Sequence, residues 1–251
     1  MNVKEKRISL FDCPIDALTM DQTMEKINSA IQKKSHIHHA LVNAATIVNL
    51  QKDSVLRNGI IHCDLINADG QGVIMAAKAL GLYLPERVSG PDLMEKIVAL
   101  AYEKKYKIFF LGAEEYVVKK VVEVYSEKYS SDIIAGYRNG YFSTEDESEI
   151  ARQITEAKPN ILLVAMTSPK KEDFLYRNKS LFMNINLITG VGGCFDIVAG
   201  KTRRAPLWMQ RAGLEWFFRM IQEPGRLFKR YLTTNTALLK MIFLKKVLNK
   251  S

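Results

Sequence analysis

At 251 residues, with 47% apolar and 25% charged side chains, the chain has the make-up of a soluble globular protein, one large domain or a domain with an appendage. Its formal charge of +9 is unevenly placed: residues 201–251 carry twelve Lys or Arg against Glu215 and Glu223, so the body before them is nearly neutral. Such a tail calls for an anionic partner, whether phospholipid, nucleic acid or phosphorylated substrate. Cys13, Cys63 and Cys194 lie far apart with no CxxC spacing, which argues for a reducing compartment and against a disulfide framework or zinc site. Charges within the first 13 residues leave no apolar stretch for a secretion signal, and no apolar run reaches the roughly 18 residues of a transmembrane helix.

Residues 7–11 read as a short strand and 13–18 as its return. Thr19 with Gln22 three positions on is a capping-box pattern, and Met20, Met24, Ile27 and Ile31 continue it at helical spacing to residue 33. His36 and His38 would share a face of the next strand, but no carboxylate or cysteine is spaced to complete a metal site with them. That strand ends at Asn43, and residues 44–51 look helical. Residues 63–67 form another apolar strand that runs into Ala68-Asp69-Gly70-Gln71-Gly72 and then a helix over 73–80. A carboxylate at the carboxyl end of a parallel strand stands where open α/β sheets place ligands; Asp69 equally suits an N-cap or an Asp-Gly turn.

A loop over 85–92 leads into a helix over 92–102. Strands are expected at 107–112, 132–137, 161–166 and 186–191, with helices at 115–129, 145–157 and 169–178 between them. The strands are apolar throughout rather than alternating, so helices should cover both faces of a mostly parallel, Rossmann-like sheet occupying residues 1–200. After the last strand, Gly190, Gly192 and Gly193 free the backbone to turn tightly and present N–H groups, followed by Asp196 and the cationic cluster Lys201, Arg203 and Arg204. Strand, bare turn, carboxylate and cations are the parts needed to hold a phosphorylated ligand, although the same spacing also describes a plain turn into a surface helix.

Residues 206–220 read as one aromatic helix, broken at Glu223-Pro224-Gly225, and 226–249 as a second. In the second, Leu227, Phe228, Tyr231 and Leu232, then Met241, Leu244, Val247 and Leu248, alternate with Arg and Lys. That composition suits a helix lying in a membrane interface, and equally one docked on the sheet or on a partner subunit. Residues 201–251 are thus a basic helical appendage.

Several segments together carry a resemblance: NADGQGV at 67–73, ERVSGPDL at 86–93, FFLGA at 109–113, SPKKE at 168–172, GVGGCFDIVAGKTRRAPLWMQRAGLEWFFR at 190–219 and EPGRLFKRY at 223–231. In this order the chain resembles the WecG/TagA/CpsF family of bacterial glycosyltransferases. The resemblance implies an inverting enzyme, peripheral on the cytoplasmic face of the bacterial membrane, that moves a hexose from a UDP donor onto an undecaprenyl-diphosphate-linked sugar for teichoic acid or another surface polysaccharide. In the teichoic acid branch the hexose is N-acetylmannosamine. By motif, Asp69 matches the family's proposed general base, and Arg87 an arginine expected on donor or acceptor phosphate. Arg219, Arg226 and Arg230 match basic positions that fold over the site and neutralise the UDP leaving group. Asn43 stands where the family has an Asn at a strand end. The substrate-binding set expected here is therefore Asn43, Arg87, Lys171, Gly190, Gly192, Gly193, Asp196, Arg219, Arg226 and Arg230.

Two positions differ from the family pattern. Lys171 replaces the glutamine of Gly-x-Pro-x-Gln-Glu, and Leu41 stands where the teichoic acid branch tends to have Thr. Both bear on which hexose is carried, UDP-glucose or UDP-N-acetylmannosaminuronate being alternatives, and leave the reaction type alone. The chain has no Asp-x-Asp after a strand, so no metal cofactor is expected. Two other readings fit less well. A dinucleotide oxidoreductase would need a completed GxGxxG and an acidic residue about 20 positions on, and a nucleic-acid binder would mix aromatic and basic residues on one exposed face.

Overall fold

The computed structural model describes residues 7–248 apart from the side chain of Arg226; the expected helix end at Asn249 lies outside the described residues. A hairpin of β1 (Arg7–Leu10) and β2 (Cys13–Asp16) opens the chain, locked by two 2.8 Å bonds from the Arg7 guanidinium to the Asp16 carboxylate. Helix α1 (Met20–Gln32) follows with the expected capping box, in which Thr19 accepts from the Gln22 amide and the Gln22 side chain accepts from the Thr19 amide.

Next come β3 (Ile37–Val42), α2 (Ala44–Asn49), α3 (Ser54–Ile61), β4 (Leu65–Ala68), α4 (Gln71–Ala79) and α5 (Gly90–Lys104). Beyond them are β5 (Ile108–Gly112), α6 (Glu115–Lys128), β6 (Ile134–Arg138), α7 (Glu147–Glu156), β7 (Ile161–Ala165), α8 (Lys170–Arg177) and β8 (Leu187–Gly190). Six strands form one all-parallel sheet in the order β4-β3-β8-β7-β5-β6. As their unbroken apolar runs require, both faces are covered. Ile108, Phe110, Leu163 and Leu187 pack under α1, α5 and α6, while Phe109, Leu111, Leu162 and Val164 pack under α7 and α8. The same second face, beneath β3 and β4, is closed by α2, α3 and α4.

Two expectations change. Helix α3 was not anticipated, because residues 54–61 offer a short mixed run; Asp53 starts it by capping the Leu56 amide at 2.9 Å. The single helix expected over 206–220 is two, α10 (Leu207–Arg211) and α11 (Glu215–Gln222), parted at Gly213, whose φ of +73° ends a helix as an L side chain rarely can. Before them, α9 (Cys194–Val198) follows the glycine turn directly.

The last helix, α12 (Pro224–Leu248), lies on α2 and α4. Its inward stripe recurs at helical spacing: Leu227 and Leu238 are buried, Thr234 stands between them, and Ala237, Met241 and Ile242 pack on the core beneath β3 and β4. A second stripe, Phe228, Leu232, Leu239 and Phe243, is exposed. Among the described residues, twelve of the 22 exposed large apolar side chains fall after Pro206, so exposed apolar surface is concentrated in this basic segment. Truncating the inward anchor should loosen the whole docking. Leu238→Ala is expected to lower the unfolding free energy by about 2–4 kcal/mol in urea titration; an unchanged midpoint would mean that α12 does not depend on this contact.

Candidate active site

The sheet order makes neighbours of three strand ends that are far apart in the chain. β3 leads directly into Asn43, β4 beside it into Asp69, and β8 on the other flank of β3 into the turn 190–193. The Asp69 amide donates to the Val42 carbonyl at 2.7 Å, which clamps the two strand ends together. Asn43 caps α2 by accepting from the Thr46 amide at 3.1 Å, and its Cβ comes within 3.8 Å of where a Cβ on Gly70 would stand. The loop before α5 returns along β4, with the Val88 amide on the Ala68 carbonyl at 2.9 Å, and so delivers Arg87 and then the amino end of α5 to the same place.

Asp69 points at that amino end. A Cβ placed on Gly90 would meet Asp69 Oδ2 at 3.7 Å, Cys194 Sγ at 3.6 Å and Leu41 Cδ1 at 3.2 Å, so glycine is what allows this approach. The Gly90 amide hydrogen-bonds the carboxylate. Half-buried at the crevice mouth against Leu41 and Cys194, Asp69 is pushed up to about 6, chiefly by loss of hydration. Arg87 and Arg219 pull it down and Glu215 pushes it up.

Arg219, from α11, reaches the glycine turn: a Cβ on Gly193 would lie 2.7 Å from its Nη2 and 3.8 Å from Asp196 Oδ2. The turn itself is tight, with Gly192 at φ +53°. Asp196 also faces Lys201 at 3.9 Å, and Lys201 pairs with Glu114 at 3.0 Å. The tail is fastened here by Glu215. Its Oε2 takes a 2.8 Å bond from Arg87 Nη1, and its Oε1 lies 3.6 Å from Arg204 Nε. Arg204 in turn grips Asp92 in the first turn of α5 with two 2.6 Å bonds.

The structure thus gathers Asn43, Asp69, Arg87, Gly190, Gly192, Gly193, Asp196 and Arg219. Lys171 touches this set at Gly190 but lies apart from Asp69 and the arginines. The Lys171 ammonium lies beneath Gly190 on the opposite face of the sheet, where a Cβ would meet it at 2.7 Å, and pairs with buried Glu172 at 3.0 Å. Burying the Glu172 carboxylate demands a cation, and Lys171 supplies it. Arg230 is exposed, with its guanidinium over the ring of Tyr231, and the side chain of Arg226 lies outside the described residues. Glu215 and Asp92 were missed as site residues, while the sequence marks Arg204 only as part of a ligand-holding cationic cluster. The signal for Glu215 was present, since it is one of two acids in an otherwise cationic tail. Among the described residues no three His, Cys, Asp or Glu side chains converge as a metal site. A cavity of about 230 Å³ between the α2–α3 junction and the β7–α8 loop, lined by Asn49, Lys52, Asp53, Leu56, Ser168 and Pro169, shares no residue with the acid–cation group.

The sequence pattern of the glycosyl transferase WecG/TagA/CpsF family matches residues 8–251. The chain belongs to this family. Among its relatives, the chain is 39% identical over 170 residues to the N-acetylglucosaminyldiphosphoundecaprenol N-acetyl-beta-D-mannosaminyltransferase of Bacillus subtilis strain 168, and 35% over 163 residues to that of Bacillus spizizenii. These matches cover 68% and 65% of the chain but 65% and 62% of the relatives, so it spans just under two thirds of either Bacillus protein. A Staphylococcus aureus (strain MW2) protein of the same name is 28% identical over 90% of the chain and 91% of its own length.

In a carbon-13 or infrared titration, the difference between wild type and Asp69→Asn should show a carboxyl titrating near 6. Because the folded value exceeds the ordinary 3.8, the folded state binds more protons than the unfolded between these pH values, and Asp69 costs stability increasingly as pH rises through them. Asp69→Asn should therefore match or exceed wild-type stability above pH 6; a carboxyl titrating near 4 would contradict the desolvated site.

Proposed function

We propose that this glycosyltransferase moves N-acetylmannosamine from its UDP form onto N-acetylglucosaminyl-diphospho-undecaprenol, with inversion, as a step of teichoic acid synthesis. The observation that carries the reading is the meeting of one desolvated acid, Asp69, with cations from two distant segments of the chain, Arg87 and Arg219, beside the glycine turn after β8. The names of the relatives supply the sugar and the acceptor.

The chemistry follows from that grouping. An acceptor hydroxyl is a poor nucleophile until it loses its proton, and a carboxylate raised to about 6 is ionised near neutrality yet basic enough to take it as attack begins. The new bond forms between the acceptor oxygen and the anomeric carbon. The bond from that carbon to the β-phosphate oxygen of UDP breaks, and its electron pair leaves with the diphosphate. Negative charge then grows on the diphosphate, which Arg219 and the turn amides would neutralise together with Arg87, whose guanidinium has one N–H on Glu215 and others for phosphate. Arg226 and Arg230 would join from α12 when a lipid-linked substrate is bound. Cations performing this neutralisation make a divalent metal unnecessary. With EDTA in the assay, wild-type turnover should be undiminished and Asp69→Asn should fall by about 10³-fold or more with UDP binding little changed. Equal turnover in Asp69→Asn would remove it as the base, and restoration of a lost wild-type rate by magnesium would refute metal independence.

The acceptor is a membrane lipid, and no described helix is long and apolar enough to cross a membrane. The exposed stripe Phe228, Leu232, Leu239 and Phe243, with Lys229 and Lys240 alongside, suits the headgroup boundary on the cytoplasmic face, its cations drawn to anionic lipid. Leu232→Glu combined with Phe243→Glu leaves the inward face of α12 intact. It should abolish flotation with phosphatidylglycerol vesicles while sparing turnover of a short-chain soluble acceptor; undiminished flotation would exclude this stripe as the contact.

A further inference from the structure

The face of the sheet beneath α1 and α5 is apolar except for one line of side chains that crosses it. Thr23 on α1, Asn67 on β4, His39 on β3 and Thr189 on β8 are each at most 1% exposed. His39 Nδ1 lies 2.7 Å from Thr189 Oγ1 and its Nε2 lies 3.1 Å from Asn67 Oδ1, while Thr23 Oγ1 is 3.3 Å from the same amide oxygen. The Thr23 hydroxyl also donates to the Thr19 carbonyl at 2.8 Å.

The donors and acceptors favour one wiring of this line, because an unpaired buried N–H is rarer than an under-satisfied carbonyl oxygen. With Oδ1 toward His39, the amide leaves Nδ2 buried and without a partner. Turned by 180°, Nδ2 donates both to His39 Nε2 and to Thr23 Oγ1; Nδ1–H then donates to Thr189, and the Thr23 hydroxyl keeps its bond to the Thr19 carbonyl. The second arrangement uses every N–H of the amide and imidazole and requires a neutral Nδ1–H imidazole. Burial favours that state, since it pushes the imidazole down to about 4.

Apolar neighbours on this face, Leu65, Leu187 and Leu41, would pack as well around a leucine as around an imidazole, and a buried polar line gives no advantage in stability over such packing. What it gives is direction. Hydrogen bonds weaken steeply with misalignment, so an imidazole bonded on both sides resists sliding of either neighbouring strand, which apolar contact permits. Both neighbours lead into the site: Asn67 is two residues before Asp69, and Thr189 immediately precedes Gly190. In the sheet His39 pairs directly with Thr189 and with Leu65, so β3 is the strand across which acid and turn are referenced to each other.

We propose that His39 is a positioning residue for glycosyl transfer, its imidazole bridging Asn67 and Thr189 so that Asp69 and the glycine turn keep the offset the displacement needs. The proposal rests on the reading of Asp69 as base. Displacing a reacting group by about 1 Å can cost on the order of 10²-fold in rate. In the full chain with UDP-N-acetylmannosamine and a lipid-diphosphate acceptor, His39→Leu should therefore lower kcat by about 10- to 100-fold, with the donor KM within about threefold of wild type. The acid limb of kcat/KM should also move from its wild-type position. His39→Gln, whose amide can still bridge the two strands, should recover most of the loss. Thr189→Val, which removes one link and nearly no volume, should show a smaller fall of the same kind and serves if His39→Leu does not fold.

Wild-type kcat and acid limb in His39→Leu or in Thr189→Val overturns the proposal. So does a loss that lies in KM and is not recovered by His39→Gln. Asp69→Asn measured alongside separates the two claims. If Asp69→Asn is inactive while the His39 and Thr189 variants are normal, the positioning role alone falls. If Asp69→Asn turns over at the wild-type rate, the base assignment falls and the positioning role with it.

Discussion

The arrangement turns on one carboxylate. Glu215 lies between Arg87, from the loop that follows β4, and Arg204, which is itself held by Asp92 at the amino end of α5. Without it, two guanidinium groups would face each other in a partly dehydrated crevice, and nothing in this group would hold α11 against the body. With it, α11 is fixed with Arg219 over the glycine turn, while Arg87 is restrained but keeps most of its donors. Ion pairs of this partly buried kind add little net stability, but they define geometry, and here they define where the cationic tail meets the nearly neutral body.

That meeting point gives Asp69 its character. An acid beside Leu41, Cys194 and a helix start would be costly to ionise; the same acid beside two arginines would be a weak base. The two effects leave it between those limits, which is the range a general base near neutral pH requires. In the proposed reaction, a diphosphate at Arg87 and Arg219 would offset part of their pull and make Asp69 more basic.

Much of this was legible in the sequence because it rests on local rules. Unbroken apolar runs alternating with amphipathic stretches demanded a parallel sheet covered on both faces, and Thr19 with Gln22 announced α1. Asp69 and the glycine turn were visible as candidates from their places at strand ends. What local patterns do not encode is strand order, and strand order is what puts Asn43, Asp69 and Gly190 side by side. Lys171 shows the limit most clearly. The resemblance put this lysine near the donor in place of a glutamine, and its side chain lies on the other face of the sheet, paired with buried Glu172. The split at Gly213 and the short helix α3 were missed although their cues are local, a glycine that ends α10 and an aspartate that caps α3, because each segment is too short for a helical period to stand out.

The most direct measurement is the position of the UDP diphosphate in a crystal of the full chain. The account requires the β-phosphate at the turn 190–193, within hydrogen-bonding reach of Arg219 and facing the Asp69 carboxylate across the space left for the sugar. A diphosphate seated instead in the cavity lined by Lys52, Asp53 and Ser168, with Asp69 and Arg219 untouched, would contradict it.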